Sequence, residues 1–524
     1  MGANDVFSRL SNAVSRRDFL RFSGGCAALT STSLMATILN LRMTHHAMAE
    51  VLPGDITDYR ALVCVFLFGG NDSFQLLTPY QGSYNGTTAT GEYGYYVQKR
   101  GGVYTTTAGG LALPKATDGS PPPNPATVNR DTNQLLFPIS ATNGREFGIH
   151  PRMAEIAELY QSGKACFVSN VGTLIDKTTR ADYDAEINLP KGLFSHSDEQ
   201  RNWQTGLPQS RSAAKGWAGR IADCLSAATN GNSTISMNIA LNKINILQSG
   251  QFVFPYIVSE DAGAVALTDY PAVNNTFNRI RTAATDSLMP VDAGSLDGLY
   301  AELLQRTHAR NSRDAIDAAI EFNNLTSGAT PFDPVLFDNI GTLGDQAEMV
   351  ARIINARGPG ALNQKRQMFF ISLGGFDNHD ELINNQNGTL RQVSQSIHAL
   401  HTACEAMGVA DKVTIFTASD FSRTLSSNGN GADHAYGANH LVVGGGVHPD
   451  VWGSYPASLT SPYDSFAGNL DLGRGRLLPT LSVDEYAAEL ALWFGVPNGN
   501  DLETVLPNIR NFFGTSGSPI GFLA

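Results

Sequence analysis

Short apolar runs without alternation recur along the chain, and each gives way to glycine or to polar residues. Ala61 to Phe68 is the clearest, rich in Val, Phe and Cys and closed by Gly69-Gly70. A run of this length with no polar face predicts a strand covered on both sides. Similar runs lie at Ala165 to Val171, Met368 to Leu373, Val413 to Ala418 and Leu441 to Val443, with weaker ones near Ser236 to Ala240 and Phe252 to Val258. Helical periodicity fills the spaces between them: Met153 to Gln161, Gly216 to Ala228, Ser295 to Asn324, Asp345 to Arg357 and Thr389 to Met407. Ser482 and Glu485 form a capping-box pattern ahead of Tyr486, Leu490 and Trp493, and Gly495 ends that helix. Buried strands alternating with amphipathic helices predict an α/β fold, a mainly parallel sheet with helices on both faces.

Two regions depart from this rhythm. Between Pro79 and Pro138 the chain is rich in Gly, Thr, Tyr and Pro, with little helical period. A segment of about 80–137 with that composition reads as an insertion over the sheet edge, serving as a lid, a binding surface or a small hairpin layer. At the other extreme, Ser15-Arg16-Arg17-Asp18-Phe19-Leu20-Arg21 is a twin-arginine motif, followed by a weakly apolar stretch from Phe22 to Leu41 and by Ala47-Met48-Ala49. Residues 1–49 therefore read as a twin-arginine signal, cleaved after Ala49, and 50–524 as one large α/β domain. The expected location is periplasmic or secreted, with the twin-arginine translocation machinery as the partner during export. The Gly, Ser, Thr and Asn content of the 22–41 stretch argues against stable residence in a bilayer.

Charge and cysteine usage narrow the partners. The full chain carries 36 basic and 48 acidic residues, a net charge of −12. Without residues 1–49 the counts are 31 and 46, a net charge of −15, which repels nucleic acid. Cys26 lies in the signal, and Cys64, Cys166, Cys224 and Cys404 fall in apolar runs or helical patterns. Their spacing fits neither a thiolate metal site nor a disulfide framework, so they read as small buried hydrophobes. No dinucleotide fingerprint follows the first strand, and no haem or iron-sulfur pattern is present.

The candidate chemistry sits at the strand exits. Gly374-Gly375-Phe376-Asp377-Asn378-His379, Ser419-Asp420-Phe421 and Asp433-His434 each place acidic or imidazole groups beside an apolar run, and Asp72 does so after Gly69-Gly70-Asn71. In open α/β sheets ligands bind beyond the carboxyl ends of the strands. Carboxylate with imidazole suits a divalent ion, with zinc, calcium and manganese the expected choices. Such an ion polarises an ester oxygen and activates a nucleophile. Arg423, just beyond Asp420, is positioned by sequence to hold an anionic ester substrate bidentately, or to form an ordinary salt bridge. Ser195 or Ser197, at the start of a helix-like stretch ending at Thr205-Gly206, is a candidate nucleophile or simply an N-cap. Asp72 likewise has a plain alternative as the cap of its own turn.

Gly69-Gly70-Asn71-Asp72-Ser73-Phe74 with Pro79-Tyr80, the Phe194 to Gly206 segment, Gly374 to His379, and Asp471-Leu472-Gly473-Arg474-Gly475-Arg476 leading into Ser482 to Val496 together resemble the DUF1501 family. The resemblance spans nearly the whole chain beyond the signal. It implies twin-arginine export and the alkaline phosphatase and sulfatase fold, whose wider superfamily binds two metals. By position it implies metal ligation by Asp72, Asp377, His379, Asp420 and His434, with Ser195 as nucleophile. This sequence departs from the superfamily in the close Asp377–His379 spacing and in Phe421, which stands at the His position of an Asp-His dipeptide. The expected function is an exported, metal-dependent hydrolase of phosphate or sulfate esters. The alternative is a non-catalytic exported binding or assembly protein on a degenerate form of that fold.

Overall fold

The computed structural model describes residues 56–105, 108–117, 119–231, 233, 235–241, 243–260, 263–264, 318–455 and 470–523. The twin-arginine motif, the cleavage position after Ala49, Cys26 and the 295–317 part of the expected helix lie outside the described residues.

Nine strands form the main sheet: β1 (Arg60–Leu67), β2 (Ala165–Gly172), β3 (Asn238–Leu241), β4 (Tyr256–Val258), β5 (Arg366–Leu373), β6 (Val413–Ser419), β7 (Ala438–Gly444), β8 (Val451–Gly453) and β9 (Leu481–Ser482). Their order across the sheet is β4-β3-β5-β1-β6-β7-β2-β8, with β9 also pairing with β2. β1 is parallel to both neighbours, with Leu67 in register with Leu373 of β5 and with Ser419 of β6. Among the described strands only β7 opposes its neighbours, running antiparallel to β6 and β2. The chain thus has a mixed, mostly parallel α/β fold. From Ala61 onward β1 is buried at every residue, as its unbroken apolar run requires.

The helices that pack on this sheet fall where the periodicity places them. They include α1 (Ala154–Gln161), α2 (His196–Thr205), α3 (Trp217–Asn230), α4 (Thr342–Asn355), α5 (Leu382–Ala406) and α6 (Val483–Phe494). Ser482 caps α6 through the Glu485 amide, Glu485 returns a carboxylate to Ser482, and Gly495 closes the helix in the left-handed conformation. Among the described residues no helix is long and apolar enough to cross a membrane. All four cysteines outside the first 55 residues are free and buried, as expected.

The 80–137 segment is more regular than its composition suggests. Gly91–Lys99 is a helix, flanked by the short hairpin Ser83–Tyr84/Ala89–Thr90 and by Tyr104–Thr105/Ala108–Gly109. Its signal is Tyr93, Tyr96 and Val97, three buried residues at helical spacing. Glycines on both sides obscure so short a period.

Candidate metal centre

The carboxyl ends of β1, β5 and β6 lie side by side, so their exit loops meet. Gly69 and Gly70 permit the meeting. Both have left-handed φ, 115° and 79°, and a Cβ on Gly69 would come within 2.5 Å of the Asp377 amide nitrogen. A Cβ on Gly70 would strike the Phe421 ring.

Four side chains converge above this junction. His434 Nε2 lies 3.0 Å from His379 Nε2 and 3.1 Å from His196 Nε2. Asp377 Oδ1 lies 3.2 Å from His379 Nε2, 3.4 Å from His196 Nε2 and 3.6 Å from His434 Nε2. Each imidazole turns its other nitrogen to an oxygen. His434 Nδ1 donates to the Phe194 carbonyl at 2.8 Å, His196 Nδ1 to Asp420 at 2.7 Å, and His379 Nδ1 to Asp433 at 3.3 Å. These acceptors fix the tautomer: Nδ1 carries the proton, and in the neutral ring Nε2 presents a lone pair. Three lone pairs and a carboxylate oxygen therefore face one another. Such a cluster repels itself unless a proton or a cation sits among its members, and His196, Asp377 and His434 lie close enough together to hold a divalent ion.

Packing and charge hold the four in place. The buried Phe421 ring lies 4.7 Å from the His196 ring and 4.6 Å from that of His434. Burial pushes the Asp377 carboxyl up, but the hydrogen bond and charge of Arg423 overcome it and leave it below its ordinary value. The Asp420 hydrogen bond raises the pKa of His196, whereas burial lowers that of His434. Asp377 and His379 are about half exposed, at 51% and 47% of their side chains, so the cluster opens to solvent on their side.

Asp377, His379 and His434 stand together as the sequence led us to expect, and two of the other expected ligands do not join them. Asp72 is fully buried. It caps the helix Ser73–Leu76 through the Phe74 and Gln75 amides, and Arg100 grips both its oxygens, at 2.6 and 2.9 Å. Both oxygens are engaged away from the cluster's four side chains, so the capping alternative holds. Asp420 acts through His196: one oxygen accepts from His196 and Gln200, the other from the Gly69 amide at 3.4 Å.

Arg423 is also corrected. It is buried, and it donates to the Gly70 carbonyl at 2.9 Å, the Ala432 carbonyl at 3.2 Å, the Gly69 carbonyl and Asp377 at 2.5 Å. With its donors turned into the protein, it fastens three loops instead of receiving a substrate anion. Ser195 is the N-cap residue of α2 but makes no side-chain cap; its Oγ lies 3.3 Å from Ser197 Oγ.

His196 is the member that the sequence reading missed. It sits between the two serines considered as nucleophiles, and Gln200 follows one turn later on the same helix face. That i, i+4 pair straddling Asp420 was the available signal. Phe194, with φ of 68°, places its carbonyl on His434 from the adjoining loop.

No curated protein matches this chain. The family described as "Protein of unknown function (DUF1501)" matches residues 59–457, a span holding β1 through β8 and all four converging side chains, and the chain belongs to that family.

Proposed function

We propose that this protein is an exported, metal-dependent hydrolase of phosphate or sulfate esters, built on a phosphatase-like fold with one divalent ion held by His196, Asp377, His379 and His434. The observation that carries the reading is the inward convergence of three unprotonated imidazole nitrogens and one carboxylate oxygen. The separations among His196, Asp377 and His434, 3.1 to 3.6 Å, bracket the edge of about 3.3 Å between donors set at about 2.0–2.1 Å from zinc, and His379 Nε2 adjoins two of the three at 3.0 and 3.2 Å. Three imidazoles suit zinc first and manganese next, while calcium prefers an all-oxygen set.

A bound ion of this kind supplies Lewis acidity, drawing charge from an ester oxygen and easing deprotonation of the attacking group. The chain's own residues do the positioning. Asp420, Asp433 and the Phe194 carbonyl hold the imidazole protons on Nδ1, and Arg423 keeps Asp377 ionised. The half-exposed edge of Asp377 and His379 is the side from which an ester approaches. Hydrolysis breaks the bond from phosphorus or sulfur to the leaving oxygen, which departs with a proton as water supplies the new oxygen. Ser195 Oγ, or water itself, is the proposed nucleophile.

A second reading rests on the number of protein donors. Four of them resemble a closed structural metal site more than a catalytic one with an open position, and Ser195 Oγ has only Ser197 Oγ beside it. Elemental analysis of purified protein with turnover of aryl phosphate and aryl sulfate panels separates the two. One equivalent of metal with chelator-sensitive hydrolysis supports the hydrolase. Metal without turnover favours the binding or assembly protein, and absence of metal removes the hydrolase.

A further inference from the structure

The Asp471-Leu472-Gly473-Arg474-Gly475-Arg476 motif takes no part in the centre as described, yet it reaches the centre's edge. Asp471 Oδ1 accepts from the Gly473 and Gly475 amides at 2.9 and 2.8 Å, and the turn closes by a hydrogen bond from the Leu472 amide to the Arg476 carbonyl. Arg474 sits at its tip with φ of 62°, between two glycines that are also left-handed. A long branched side chain is a costly choice for that backbone, where Gly or Asn rests without strain. Its use there asks for a function of the side chain.

That side chain is an ion pair with one face unspent. One terminal nitrogen of Arg474 meets Asp433 Oδ2, while Asp433 Oδ1 accepts from His379 Nδ1. The Arg474 side chain is 44% exposed, and its other donors have no hydrogen-bond partner among the described residues. Two residues on, Arg476 lies over the Phe194 ring at 5.5 Å, with its Nε buried and without a hydrogen-bond partner among the described residues. A chain with a net charge of −12 thus places two guanidinium groups beside the two residues that orient His379 and His434.

Resting on the hydrolase reading above, we propose that Arg474 is the anion-recognition residue of the site. Its outward N–H fork takes the non-bridging oxygens of a tetrahedral oxyanion, phosphate or sulfate, presented to the centre. The planar fork matches two oxygens of one oxyanion, and Asp433 fixes its direction from behind. This is the role that Arg423, turned into the protein, does not fill.

The test titrates inorganic phosphate and inorganic sulfate into the zinc-loaded protein by calorimetry, for wild type, Arg474→Lys and Arg474→Asn, with metal content measured on the same samples. Asn tolerates the left-handed backbone and guards against misfolding. The expected result is unchanged metal content and an affinity lower by about tenfold or more in Arg474→Asn, the worth of a charge-assisted hydrogen bond. Arg474→Lys falls between them, since it keeps the charge and loses the fork. Equal anion affinity in all three proteins, or no anion binding by metal-loaded wild type, overturns the proposal. Loss of metal together with anion binding in Arg474→Asn also overturns it, because Arg474 then acts only through Asp433 on His379. A wild type that takes up no metal fails the hydrolase reading itself, an outcome read from the metal analysis and distinct from the titration.

Discussion

The exit of β1 and the exit of β5 begin alike, each with paired glycines and an aspartate, and end in opposite chemistry. At the first, Asp72 meets the buried guanidinium of Arg100 and two helix amides, so its charge is satisfied within the protein. At the second, Asp377 meets one arginine, but three imidazoles bring their unprotonated nitrogens to the same oxygen. One acid completes an internal ion pair and fixes a loop. The other belongs to a cluster short of positive charge. In the proposed reading, an acid at a strand exit serves as a ligand only when the fold withholds a resident cation sufficient to saturate it.

Removing a converging nitrogen tests the contrast most severely. His434→Ala is expected to lower metal affinity by more than about a hundredfold, beyond the loss typical for an outer partner of a metal ligand, and dialysed protein then carries almost no zinc. Full retention of zinc in that variant erases the distinction between the two exits. Asp72→Asn is the converse. It removes the carboxylate charge that Arg100 grips with two hydrogen bonds in the buried interior, at a cost of about 3–5 kcal/mol in urea denaturation. Its metal content stays at the wild-type value, and a loss of metal returns Asp72 to the site.

Smaller effects sharpen the picture. Asp420→Asn weakens the hold on the His196 ring and is expected to reduce zinc affinity by about ten- to a hundredfold in competition with a chromophoric chelator. Glu199, on α2 behind His196, is buried, and burial pushes its carboxyl up to about 8 from 4.5. Between those values the folded state holds a proton that the unfolded chain has lost. The stability this confers is complete below about pH 4.5 and disappears as pH rises through about 8. Glu199→Gln stays neutral, so it is expected to flatten this dependence and to be more stable than wild type at pH 9, by about 1–3 kcal/mol. Parallel thermal melts at pH 5 and pH 9 read the difference. Equal slopes show that Glu199 is not the group titrating.

Much of the architecture was legible because its signals are local. The apolar runs at 61–68, 165–171, 368–373 and 413–418 became β1, β2, β5 and β6, and the Ser482/Glu485 capping box opens α6 as read. The helix at Gly91–Lys99 escaped because Gly91 and Gly94 interrupt a period of only nine residues. The site was legible only in part. Asp377 and His379 share one loop, and His434 follows in the next, so proximity along the chain foretold proximity in space. His196 and Asp420 are separated by 224 residues, and the spacing of His196 and Gln200 on one helix face, the one local signal, does not name Asp420 as their shared partner. The fate of Asp72 depended on Arg100, 28 residues away, beyond a segment whose composition concealed its helix.

By itself the chain determined its alternation of buried strands and covering helices, its glycine turns, and the placing of acids and imidazoles at strand exits. Those features follow from hydrophobic period, capping and backbone sterics, all of which act over a few residues. Tertiary structure alone decided which acids would be neutralised and which left facing lone pairs, because charge is settled by the nearest partner in space. It put Arg100 against Asp72, turned Arg423 inward onto Asp377, and brought His196 beneath His434, leaving the centre where positive charge is lacking.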